Sequence, residues 1–142
     1  MRRWIVEPEI AGQLGANTVM DTTKHPPVVM QLHHEFEGWL GDDLLECFPC
    51  FLVTERLAEA LSRSGTTGYE LREVEITRSQ TFDDLYPMRV LPRFWWLNIV
   101  AGSADSDFRL SKDGRLDVSD RVYELLRDFS INNAIIRDAE AL

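Results

Sequence analysis

The segment Val53-Thr54-Glu55-Arg56 returns sixty-five positions later as Val118-Ser119-Asp120-Arg121, and the likeness runs on in register. Glu59 falls on Glu124, Leu61 on Leu126, Leu71 on Ile136 and Arg72 on Arg137. A short supersecondary unit used twice restricts the chain to folds in which two equivalent pieces pack together, because one such unit cannot bury its apolar face alone.

Both copies follow one grammar. In the first, Phe48, Phe51 and Val53 suggest a strand, Thr54 is a good N-cap, and Leu57, Ala60 and Leu61 share a helical face. Ser64-Gly65-Thr66-Thr67-Gly68 ends that helix, and Tyr69, Leu71, Val74 and Ile76 give a further strand with an irregularity. In the second, Leu116 and Val118 precede the cap Ser119. Val122, Leu125, Leu126 and Phe129 then form a helix face, and Ala134-Ile135-Ile136 returns as a strand. Asn132-Asn133 stands where the first copy has glycines, a coherent replacement because Asn also tolerates positive φ. The units run from about 48 to 76 and from 114 to 138. Arg56 and Arg121 each fall in the first helical turn, where a cation opposes the helix dipole, so each calls for a carboxylate partner or a functional contact.

Outside the copies, Trp4-Ile5-Val6 reads as a short strand followed by a long loop from Gly12 to Lys24. Val28, Met30 and Leu32 alternate with Val29, Gln31 and His33, the period of a strand with one buried face, which Glu35 to Trp39 extends to a turn at Gly41. Phe94 to Val100 is an apolar run expected to be a well-buried strand with Trp95 and Trp96 on opposite faces. Turns are expected at Ser103 to Asp107 and Lys112 to Arg115. No linker composition divides the 142 residues. The expected fold is therefore one α/β (α+β) domain spanning 1–142, its two diverged strand-helix-strand units packed on a mixed sheet.

The formal net charge is −9, from 15 basic and 24 acidic side chains. Such a balance repels a phosphate backbone, so nucleic acid and anionic membrane are poor partners, whereas a basic protein is electrostatically suited. No apolar run is long enough for a bilayer, and Glu7, Pro8 and Glu9 interrupt the start before a signal-peptide core could develop, so a cytoplasmic protein is expected.

Chemistry-bearing motifs are sparse. Cys47-Phe48-Pro49-Cys50 could form a redox disulfide or half a zinc site, but a thioredoxin-type pair needs a helix start and this one runs into a strand. His33 and His34 face opposite sides of a strand and His25 follows a loop, which makes a poor metal set. Asp42-Asp43 with Glu46, and Asp83-Asp84, lack the offsets of a cation loop and read as solvated turn residues or helix caps. Neither a nucleophile elbow nor a phosphate loop occurs, and Gly65 to Gly68 follows a helix instead of opening one. No catalytic residue, metal or cofactor is assigned. The unduplicated acidic and aromatic passage between the copies is the expected partner-binding region, with Asp83, Asp84, Tyr86 and Trp95 as its contact residues. The alternatives are a small redox domain using Cys47 and Cys50, or a ligand domain with a pocket between the repeat units.

Three runs carry a family resemblance: Phe36 to Leu44, Phe51-Leu52-Val53-Thr54-Glu55-Arg56, and Leu116 to Val122. Together they resemble bacterial immunity proteins of polymorphic toxin systems, in particular the double-CxxCG-motif family and the domain family of a myxobacterial immunity protein. The resemblance implies a non-enzymatic protein that binds and occludes a cognate toxin. This chain has one CxxC where the first family has two, and Cys50 is followed by Phe51 where that family has Gly, so no zinc ribbon is carried over.

Overall fold

The computed structural model describes residues 2–141, so Met1 and Leu142 of the expected 1–142 domain lie outside the described residues. In chain order the strands are β1 (Arg3–Glu7), β2 (Gly12–Leu14), β3 (Val19–Asp21), β4 (Val28–Gln31), β5 (His33–Phe36), β6 (Leu44–Cys47), β7 (Cys50–Thr54), β8 (Tyr69–Arg72), β9 (Glu75–Arg78), β10 (Phe94–Ile99), β11 (Phe108–Leu110), β12 (Leu116–Ser119) and β13 (Ile135–Asp138). The helices are α1 (Glu55–Ser64), α2 (Gln80–Leu85) and α3 (Asp120–Leu126). The fold is mixed α+β.

The two copies occupy two four-stranded antiparallel sheets, ordered β6-β7-β10-β8 and β11-β12-β1-β13, instead of sharing one mixed sheet. Each sheet is a hairpin, a middle strand and the strand that returns after the helix. Registers agree to the residue: Leu71 lies opposite Leu97 as Ile136 lies opposite Val6, and Arg72 opposite Trp96 as Arg137 opposite Ile5. The middle strand of the second half is β1, from the other end of the chain. Each half therefore begins at its hairpin, at Leu44 and at Phe108, earlier than the expected boundaries, and borrows a strand that tandem alignment cannot find. The correspondence survives in one detail. Trp95 lies opposite Val53 and Trp4 opposite Val118, and each carries an arginine on its ring, Arg93 at 4.0 Å and Arg2 at 4.4 Å.

The inner faces meet in one core, where Leu57 and Leu61 of α1, Val53 and Leu97 join Val122 and Leu126 of α3, Val6 and Val118. Burying a Leu or Val side chain of this kind contributes about 2 kcal/mol. A second core fills the other face of the first sheet, where Leu45, Leu52 and Trp96 meet Phe36 and Phe82. It is covered by a three-stranded sheet, β2-β5-β9, in which β5 and β9 run parallel.

Four expectations need correction. The long loop from Gly12 to Lys24 contains the short strands β2 and β3, which pair with β5 and β4 respectively. The strand from Val28 to Trp39 breaks at Leu32, and its first part leaves Val28 and Met30 exposed while Val29 turns inward. The irregularity after β8 is a change of sheet, since β9 leaves the four-stranded sheet to pair with β5. Asn132-Asn133 does not adopt positive φ, unlike Gly65 at 71°. That turn is held from outside by the Asp42 carboxylate, which accepts the Asn132 amide at 3.2 Å and the Asn133 amide at 2.8 Å.

Candidate functional site

The two first-turn arginines do have carboxylate partners. Arg56 grips Asp43 through Nε at 2.7 Å and Nη2 at 2.5 Å, and Arg121 grips Asp107 at 2.8 and 2.7 Å. Such bidentate pairs combine charge with fixed geometry. Each carboxylate also receives a hydroxyl, from Thr54 at 2.6 Å or Ser119 at 2.7 Å, and a backbone amide, from Ser130 at 2.8 Å or Thr67 at 2.9 Å. Arg121 and the other donors hold Asp107 well below the ordinary carboxylate range against the opposing effect of burial. At Asp43 burial pushes upward, but Arg56, Thr54 and Ser130 outweigh it and the shift is downward. Asp42 and Asp43 are thus buried structural anchors, not the solvated residues expected, because the chain around them must satisfy amides that water cannot reach. The caps also differ. Ser119 accepts the Val122 amide at 3.3 Å, whereas Thr54 caps no amide with its side chain.

What breaks the equivalence of the halves is the inserted stretch from Ser79 to Arg93. Ser79 caps α2 by accepting the Phe82 amide at 3.1 Å, and Phe82 is buried in the second core. After α2 the chain has no regular structure, yet it is tied down. Arg78 donates to Asp83 at 2.8 Å and to the carbonyls of Arg89 and Tyr86 at 2.6 and 3.1 Å, while Arg89 donates to the Trp39 carbonyl at 2.7 Å. The result is a fixed ridge whose apolar side chains face outward: Leu85 is 64% exposed, Met88 89% and Val90 84%, with Leu40 at 68% and the Tyr86 ring half open. Between the ridge and the start of α1 lies a cleft of about 570 Å³, walled by Trp39, Val90, Leu91 and Pro92 and floored by the Asp43–Arg56 pair.

Of the expected contact residues, Asp83, Asp84 and Tyr86 come together beside this ridge. Asp83 is engaged by Arg78, and Asp84 takes only the Gln80 amide at 2.8 Å. Trp95 does not join them: it is half-buried and lines a separate hollow with Ala58, Glu59 and Leu71, under Arg93. Leu40, Leu85, Met88 and Val90 were missed; the only signal was a set of apolar residues around Pro87 with no helical or strand period. All thirteen arginines of the chain take part in an ion pair or lie over an aromatic ring.

Cys47 and Cys50 are free, buried and opposite each other across the β6–β7 turn. Burial pushes each thiol up to about 12, so neither is a thiolate at neutral pH and thiolate chemistry is not available to the pair. His33 is engaged by the Asn17 amide at 3.1 Å and Thr77 at 2.7 Å. His34 is fully buried, edge-on to Phe36 at 4.4 Å, and burial lowers it to about 4. Among the described residues no group of three or more His, Cys, Asp or Glu side chains is placed to hold a metal ion. Among them, too, no helix is long and apolar enough to cross a membrane. No protein-family model, curated protein or solved structure matches the chain.

Proposed function

We propose that this is a non-enzymatic, immunity-type protein that acts in the cytoplasm by binding and neutralising a cognate bacterial toxin, with the ridge from Leu85 to Val90 at the centre of the contact. The observation that carries this reading is the ridge itself. Because the backbone of the ridge is already tied down, docking on its exposed apolar side chains carries no cost of ordering the loop, and exposed patches of this kind mark interaction sites. Asp84 at the base of the ridge and the unengaged carboxylates elsewhere suit a toxin surface that is apolar at its centre and lysine- or arginine-rich at its rim. The immunity-family resemblance supplies the biological role.

The test is affinity purification from the native host, with mass spectrometry of what is retained. Recovery of the product of a neighbouring toxin gene at a one-to-one ratio, lost in the Met88→Asp/Val90→Asp variant, is the expected result. Retention of that product by the double variant, or recovery of no protein by the wild type, would sink the proposal.

A further inference from the structure

A second feature is independent of the ridge and of the toxin reading. Where the two halves meet, the turn before β4 lies across the ends of β7 and β10 and borders a half-open cavity of about 330 Å³. Pro27, Val29, Phe51, Ile99 and, from the second half, Leu110 line it. None of its lining side chains is charged, in a chain that is 27% charged. Two lining side chains with polar atoms are already disposed of: Asn98 is turned to Glu70 at 2.9 Å, and Cys50 is a buried neutral thiol.

This cavity shares Ile99 and Leu110 with an adjoining hollow of about 500 Å³ formed by Val100 to Ala104 and Arg109. Arg109 donates to Asp117 at 2.9 Å and to the Ala104 carbonyl at 2.7 Å. Asp117 is also held by Arg3 at 2.6 Å, so two guanidinium groups share one carboxylate and one positive charge is left over. Arg109 is the accessible member, its side chain 37% exposed against 8% for Arg3. Val28 and Leu110, at the rim, stand partly in water as apolar residues waiting for cover do.

We propose that the paired cavities bind an amphiphile, its apolar chain between the halves and its anionic head at Arg109. Pockets of this size with apolar walls and one placed polar group are the usual form of a small-ligand site.

The test is calorimetric titration of the whole protein at neutral pH with linear carboxylates from butanoate to decanoate, below their micelle concentrations, and with octanol. Affinity should rise about fourfold per methylene until the cavity is full. Ile99→Trp should remove binding by filling the cavity, and Val28→Asp, at an exposed rim position, should weaken it at least tenfold. Arg109→Gln should cost octanoate about tenfold and leave octanol unchanged. Absence of saturable binding, affinity independent of chain length, unaltered binding by both cavity variants, or equal losses for octanoate and octanol in Arg109→Gln would each overturn the proposal.

Discussion

Asp43 and Asp107 stand in the same place in the two halves, and each takes its backbone hydrogen bond from the loop that ends the helix of the other half, Ser130 for Asp43 and Thr67 for Asp107. The exchange is reciprocal, so the clamps join the halves as well as bracing each helix start. Removing either carboxylate leaves a hydroxyl proton and a backbone amide without their acceptor and frees an arginine. Asp43→Ala and Asp107→Ala should each cost about 3 kcal/mol. Urea unfolding should report single cooperative transitions in both; a neutral effect in either would mean that the clamp is dispensable.

The two cap hydroxyls should not be equivalent. Thr54→Ala loses the bond to Asp43 alone, while Ser119→Ala loses the bond to Asp107 and the Val122 cap. The second substitution should be worse by about 1 kcal/mol. Thermal or urea midpoints of the two variants settle the order.

Stability should rise with pH between about 4 and 6.5 through His34. Burial lowers this imidazole to about 4 when folded, while the unfolded chain has its ordinary value of 6.5. Across that window the unfolded state binds more protons, so stability is complete above 6.5 and is lost as pH falls toward 4, by about 3 kcal/mol in all. Glu9 and Glu46 work the other way, because burial raises them and their protonated forms favour the fold. Comparison with His34→Phe isolates the histidine: the difference in urea midpoint between wild type and variant should change across this window and be flat above it.

Cys47 and Cys50 should resist iodoacetamide in the folded protein at pH 8, with a thiolate fraction on the order of one in ten thousand, and react at ordinary rates in urea. Fast alkylation of the folded protein, followed by mass, would contradict their burial.

On the ridge, Met88→Asp or Val90→Asp should leave the thermal midpoint within a degree or two, since both side chains already face water. Trp95→Ala should behave oppositely, destabilising the packing on α1 without touching partner binding. Binding by titration and melting by circular dichroism separate the two classes.

Much of the scaffold was legible in the sequence because helix faces and cap residues are local: Leu57, Leu61, Val122 and Leu126 announce themselves by spacing alone. Pairing between distant strands left no such mark. Nothing local says that β1 completes the sheet of β12 and β13, or that the chain changes sheets between Arg72 and Glu75. Asp42 and Asp43 misled for a related reason. Two adjacent carboxylates look like surface residues until the amides of Ser130, Asn132 and Asn133 arrive from far along the chain to enclose them. The ridge was half visible: its acids were found by composition, but exposed aliphatics have no period to betray them.

The borrowing of β1 also orders assembly during synthesis. The first half, Leu44 to Ile99, has all four strands of its sheet within one contiguous stretch and can close as soon as that stretch is made. Its twin cannot, because β1 pairs with β12 and β13 across more than a hundred intervening residues. Until those strands emerge, Trp4, Ile5 and Val6 form an unpaired apolar segment on the nascent chain, a target for chaperones and for misplaced strand pairing. Strands made late must find one made early.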